Sequence, residues 1–395
     1  MNINFSDRAL RIKASEIREL LKLTDQPEII SFAGGLPAAE LFPLEQIAKS
    51  ANEVILTHGD KALQYSATDG YLPLRKAILE QRLNKVGIQS NVDEILITSG
   101  SQQALEFTGK LFINEGDSII VESPTYLGAL NAFLVYDPKF REVRMDDKGM
   151  VMEDLERMLE EDSNVKFIYT IPDFQNPSGV TMSVGRRKKL LEIAKKYDLL
   201  IVEDSPYSEL AFDCECLPPI KSFDTEGRVI HLGTYSKTFT PGLRIGWIVA
   251  NPTILNKFIM IKQGADLQSS SIDQRIAAHF MENNNLDDHI KKIIEVYRAR
   301  RNVMFAAMDK YFPAGIKYTK SSGGLFTWVE FREDIDTKEL LAEALKENVA
   351  FVPGGSFFAN GGHPNYARMN YSCMSEDQIE EGVKRIGKVI EKFYR

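Results

Sequence analysis

Six short apolar runs, each bounded by turn-forming residues, occupy the middle of this 395-residue chain and alternate with stretches of helical period. The runs are Glu94–Thr98, Ser118–Glu122, Lys166–Ile171, Leu199–Glu203, Arg228–Leu232 and Arg244–Ala250. Between them, Gln102–Ile113, Met152–Leu159, Val184–Tyr197 and Pro252–Gln263 repeat apolar residues at helical spacing. Strands that are apolar along their whole length and separated by helices predict a mostly parallel sheet, covered by helices on both faces. An open sheet of that kind takes its ligands at the carboxyl ends of its strands. The polar residues just past the six runs are therefore where chemistry is expected.

The remainder of the chain reads differently. A long charged helix over Leu286 to Lys310 precedes short strands near Gly324–Phe331, Val349–Val352 and Ala367–Tyr371, with helices near Thr337–Lys346 and Ser375–Lys392. This is an α+β pattern. The expected division is an N-terminal segment over 1–42 that packs with the small unit, a large domain over 43–285 and a small C-terminal domain over 286–395.

Charge and cysteine usage narrow the function. There are 48 Lys+Arg against 56 Asp+Glu, a net charge of −8, which argues against nucleic acid or an anionic membrane as partner. Cys214, Cys216 and Cys373 form no paired framework, and His58, His231, His279, His289 and His363 lack ligand spacing, so no metal site is expected. No apolar run reaches the length of a membrane span, and Met1 to Lys13 lacks a signal core. A cytoplasmic protein is expected.

The common nucleotide and zinc signatures are missing: there is no G-x-x-x-x-G-K-[ST], no G-x-G-x-x-G after a strand and no H-E-x-x-H. The strand ends carry other groups. The first run leads into Ser99-Gly100-Ser101-Gln102-Gln103, a helix start that can cradle a phosphate or simply cap itself. Lys166–Ile171 leads into Asp173-Phe174-Gln175-Asn176-Pro177-Ser178-Gly179, which by itself is ordinary turn chemistry. Leu199–Glu203 is followed by Asp204, Pro206 and Tyr207, and an acid there can face a ribose, a metal or a positively charged ring nitrogen. Arg228–Leu232 is followed by Gly233-Thr234-Tyr235-Ser236-Lys237, then Pro241-Gly242-Leu243-Arg244. Each piece alone has a commonplace explanation.

In this order, the pieces resemble the fold-type I pyridoxal-phosphate aminotransferases of class I/II. The resemblance covers almost the whole chain and is nearest the 2-aminoadipate and kynurenine aminotransferase subgroup, through Ser31-Phe-Ala-Gly-Gly-Leu-Pro37, Leu63-Gln-Tyr65 and Phe351-Val-Pro-Gly-Gly-Ser-Phe-Phe358. It implies an α/β fold with a seven-stranded type of sheet, mostly parallel, between helices, plus a smaller α+β domain. It implies pyridoxal 5'-phosphate as cofactor and Lys237 as the amine that attaches to it and then shuttles a proton. Asp204 is expected at the ring nitrogen, Asn176 and Tyr207 at the ring's 3' oxygen, and Tyr126 on the ring face. Ser101, Gln102, Ser236 and Arg244 are expected on the phosphate, with Thr234 helping. Tyr65 resembles a tyrosine that reaches the neighbouring subunit's phosphate, which implies a homodimer.

For the substrate, Arg368 resembles the arginine that clamps the α-carboxylate, with Asn176 beside it. Gly34 is expected close to bound substrate, where a glycine lets backbone approach. Ser15 and Arg18 lie on a helix over Ala14–Leu23, which in such relatives covers the active site. Arg18 is expected to bind a distal carboxylate and to swing away from apolar or aromatic side chains. The activity implied is transfer of an amino group from an L-amino acid (2-aminoadipate, glutamate, aromatic or branched) to 2-oxoglutarate, in a ping-pong sequence through Lys237. Two alternatives remain on the same fold. One is a lyase, decarboxylase or racemase using the same cofactor. The other is a non-catalytic regulator, against which stand the negative charge and the few residues ahead of Ser31.

Overall fold

A computed structural model describes residues 3–12, 20 and 26–394. Its strands are β1 (Ile30–Ser31), β2 (Ile95–Ser99), β3 (Ser118–Ser123), β4 (Lys139–Asp146), β5 (Gly149–Met150), β6 (Val165–Thr170) and β7 (Leu200–Asp204). They continue with β8 (Val229–Thr234), β9 (Ile245–Val249), β10 (Lys317–Tyr318), β11 (Phe326–Glu330), β12 (Val349–Ala350), β13 (Val352–Pro353) and β14 (Tyr366–Asn370). All six expected central strands form, within a residue or two of their sequence bounds.

The large sheet has the order β2-β9-β8-β7-β6-β3-β4-β5. The expected sheet has seven strands; the structure has those seven plus the two-residue β5, which closes a turn antiparallel to β4. Strands β8, β7, β6, β3 and β4 are mutually parallel. Among the seven longer strands the exception is β9, antiparallel to both β2 and β8, with Ser99 opposite Ile245 and Thr234 opposite Gly246. Running backwards, β9 begins at the rim where its neighbours end. That places Arg244, the residue before it, beside the exits of β2 and β8.

Helices cover the sheet because their apolar faces have nowhere else to go. Several carry clear start signals: Ser183 caps Val184–Lys196 through the Arg186 N–H, and Asn251 caps Pro252–Ala265, which opens on a proline. Glu376–Phe393 begins with a capping box between Ser375 and Gln378. No helix among the described residues is long and apolar enough to cross a membrane.

The second sheet, β10-β11-β14-β13, is antiparallel throughout. Arg368 sits in the middle of β14, opposite Trp328 on one side and Val352 on the other. The chain near its start joins this region: β1 pairs in parallel with β12, and the Asn370 N–H donates to Phe32 O at 2.9 Å. One continuous apolar core runs from Phe107 and Phe167 under the large sheet to Leu325, Phe351 and Val383. It holds both sheets in fixed register around the cleft between them.

Candidate active site

The acid end of the cleft is built where β6 and β7 finish. Asp204, the last residue of β7, is buried; its Oδ2 accepts from the Tyr169 hydroxyl at 2.9 Å, while Oδ1 has no partner. Burial pushes its pKa up to about 6, against the opposing pull of the Tyr169 hydrogen bond and of His231. A buried acceptor left unmade costs on the order of 1–3 kcal/mol. An oxygen kept so on a cavity wall suits a donor that arrives with a ligand, and a protonated aromatic nitrogen is such a donor.

Three side chains continue from there as a chain of hydrogen bonds. The Asn176 Nδ2 donates to the Tyr207 hydroxyl at 3.2 Å, and its Oδ1 accepts from Arg368 Nη1 at 2.9 Å. Arg368 is 2% exposed and its Nη2 donates to Ala33 O at 2.8 Å. Its guanidinium lies over Phe326 at 4.2 Å and near Phe357 at 5.1 Å from the ring centres. Nε has no partner, and no ion pair to Arg368 exists among the described residues. Burial lowers its pKa to about 10, only partly offset by Tyr207 and Tyr126. A buried cation with no anion is unfavourable by itself, so this group is suited to an incoming carboxylate.

Lys237 stands between these groups, in the turn after β8. Its Nζ donates to Gly35 O at 2.7 Å. Burial lowers its pKa to about 8, and the positive charges of Arg368 and Arg244 add to the effect. An amine partly neutral near pH 7 is a nucleophile; an ordinary lysine is not.

The opposite end is made of donors. The helix Ser101–Phe112 opens at Gly100, at φ 79°, and no side chain caps it. Arg244, at φ 52°, donates from Nη2 to Ser99 O at 3.2 Å. A Cβ on Gly100 would lie 2.5 Å from that Nη2, so only glycine lets the guanidinium close on the helix start. The Ser236 N–H donates to Thr234 Oγ1 at 3.1 Å, and the two hydroxyl oxygens are 2.9 Å apart. Gln102 Nε2 donates to Gly128 O at 3.0 Å. Helix-start N–H groups, hydroxyls and a guanidinium together fit a phosphate.

Ser101, Gln102, Tyr126, Asn176, Asp204, Tyr207, Thr234, Ser236, Lys237, Arg244 and Arg368 all line one cavity of about 330 Å³. Gly34 does not; its neighbours Gly35 and Leu36 do. The carbonyls on either side of the buried Gly34 make the polar contacts instead: Ala33 O takes Arg368 and Gly35 O takes Lys237. Tyr65 is outside this cavity and 79% exposed. Ser15 and Arg18 lie outside the described residues. Sequence reasoning missed Tyr169, Phe326 and Gly35. Tyr169 follows Phe167 in the strand Val165–Thr170 and reads as core beside it, and a backbone carbonyl leaves no signal.

A lysine with a lowered pKa between a carboxylate with a free oxygen and a phosphate-fitting cradle, on a sheet in which β9 runs backwards between parallel neighbours, fits the type I pyridoxal-phosphate fold. The chain belongs to the family of aminotransferases of class I and II, which matches residues 27–386. It is 49% identical to aromatic-amino-acid aminotransferase 1 of Thermococcus litoralis, over 98% of this chain and 94% of that one. The crystal structure of Pyrococcus horikoshii kynurenine aminotransferase, in complex with PMP, superposes with a TM-score of 0.95 at 44% identity, covering 99% and 98% of the two chains. That of the alpha-aminoadipate aminotransferase LysN of Thermus thermophilus, complexed with N-(5'-phosphopyridoxyl)-L-leucine, gives 0.91 at 40% identity, over 99% and 98%. The protein is a transferase that works with pyridoxal 5'-phosphate.

Proposed function

We propose that this enzyme moves the amino group of aromatic L-amino acids, kynurenine or 2-aminoadipate to 2-oxoglutarate in two half-reactions, with Lys237 as the residue that carries the cofactor and moves the proton. The observation that carries this reading is the pair Lys237 and Arg368, a depressed amine and a buried unpaired cation, facing one cavity. The substrate range is that of the named relatives.

Bound there, the cofactor supplies an electron-poor ring that accepts the electron pair left at the substrate α-carbon. Arg368 grips the α-carboxylate and so aims the α-hydrogen. Lys237, as a free amine beside the ring, would move a proton between the substrate α-carbon and C4'. Asp204 would hold the proton on the ring nitrogen, Asn176 and Tyr207 would hold the ring oxygen, and Tyr126 would cover the ring. Ser101, Gln102, Thr234, Ser236 and Arg244 hold the phosphate.

The exposed Tyr65 fits a role in a neighbouring subunit, in a cytoplasmic homodimer, and Arg18, with Ser15 near it in sequence, would read a distal substrate carboxylate. The division at 42/43 and 285/286 belongs to the same reading. The test is optical. Glutamate or an aromatic amino acid should bleach the bound-cofactor band in the visible, and 2-oxoglutarate should restore it. Release of ammonia or carbon dioxide without any oxo acid would instead make this a lyase or decarboxylase. Arg18→Gln should lower kcat/KM for 2-aminoadipate and leave aromatic donors unchanged.

A further inference from the structure

We propose that Glu122 is a positioning residue, which through Gln175 fixes both Asn176 and Tyr126 in the cofactor cavity; this rests on the proposed placement of those two residues at the ring. Glu122 is buried near the end of β3, and none of the ion pairs among the described residues includes it. Its neighbours in the strand are Ile119, Ile120 and Val121, so an acid here breaks an aliphatic run. Burial pushes its pKa up to about 7, and the charge of Asp204 adds to the rise. A buried carboxylate of this kind is costly unless its oxygens are taken up by donors.

Those donors come from the next strand and the loop beyond it. The Thr170 hydroxyl donates to Oε1, while the Ile171 N–H at 3.3 Å and Gln175 Nε2 at 3.1 Å donate to Oε2. Gln175 is itself fully buried and reaches further. Its Nε2 also donates to Pro124 O at 2.7 Å, and its Oε1 accepts from the Ser178 N–H at 2.8 Å. One glutamine thus ties the loop that carries Asn176 to the turn that leads into Tyr126. Glu122 anchors that glutamine from behind. Asn176 has to satisfy Tyr207 and Arg368 together, at 3.2 and 2.9 Å, so a displacement of its loop would loosen both the ring contact and the substrate clamp.

The test compares Glu122→Leu, Glu122→Gln and Gln175→Met with Asn176→Ala, reading cofactor affinity of the stripped protein and the absorbance maximum of the bound cofactor beside kcat. Glu122→Leu and Gln175→Met should each weaken cofactor binding about tenfold, the worth of one strong hydrogen bond. Both should move the absorbance maximum in the direction that Asn176→Ala does. Glu122→Gln still accepts from Ile171 and Gln175 through its amide oxygen and should restore affinity and absorbance to within about threefold and a few nanometres of the parent. If Glu122→Leu folds with unchanged affinity and absorbance, the proposal is overturned. Should that variant not fold, Gln175→Met decides in the same way. An Asn176→Ala protein with unaltered absorbance would overturn the placement of Asn176 itself, and the role of Glu122 with it.

Discussion

The two ends of the cavity are built to meet anions by opposite means. At the Arg244 end, donors come from a helix start, two hydroxyls and an exposed guanidinium, all within short loops that follow or precede strands. At the Arg368 end, a single buried guanidinium is held by an asparagine, a backbone carbonyl and two aromatic rings drawn from distant parts of the chain. Many partial charges in contact with water suit a group that stays. One unpaired, desolvated charge suits a group that must come and go, because its attraction is strong only while the site is filled and dry. On the proposed reading the first end keeps the cofactor and the second exchanges substrates.

Lys237 lies between the ends, so its removal should disable both. Lys237→Ala is expected to lower turnover by about ten-thousandfold or more, and to let the cofactor be lost on dialysis, as followed by absorbance. Next in size is Asp204→Asn, expected to lower kcat about a thousandfold without lowering the Tm of the cofactor-free protein at pH 8. The sign follows from the raised pKa. In the folded chain the carboxylate ionises near 6, above its ordinary 3.8, so it opposes folding increasingly from about pH 4 to 6 and fully above. Asparagine removes that opposition at pH 8 and little of it at pH 4. A large loss of Tm at pH 8 would show Asp204 to be a structural group.

The comparison itself is tested by a pair of variants. Arg368→Gln should reduce kcat/KM for amino acids about a hundredfold with cofactor affinity unchanged. Arg244→Gln should weaken the cofactor about tenfold with little change in amino-acid KM. Equal losses of both quantities in both variants would erase the distinction between the ends. The smallest effect is on pH. Capture of added cofactor by the stripped protein should accelerate up to about pH 8, where Lys237 loses its proton, and level off above. Either arginine variant should move that midpoint upward, since each takes away a positive neighbour.

Sequence pattern makes the central strands plain because they are buried on both faces and therefore apolar at most positions. The strand Lys139–Asp146 is hidden for the converse reason: only β5 lies beyond it, and charged residues fill most of its positions, so few of them are buried. The helix Leu44–Ala62 was equally hidden, with Ser50, Val54 and Ala62 as its buried residues. Asp204 and Lys237 could be found because a strand end is a defined place in the sequence. Tyr169 and Phe326 could not, since an aromatic residue in a strand reads as core whether or not it also faces a ligand. Gly35 contributes only a carbonyl, and residue type alone does not tell which of two adjacent glycines presents one.

The reversed direction of β9 also limits how this chain could be re-cut. New termini opened by circular permutation near Asn251, at the opposite end of β9 from Arg244, would leave the link from Lys237 to Arg244 whole. Termini opened at Gly242 would separate Arg244 from Lys237 in sequence and free one end of the segment that delivers it to Gly100. Two cuts nine residues apart should therefore give one permutant that keeps its cofactor and one that folds but must be supplied with it.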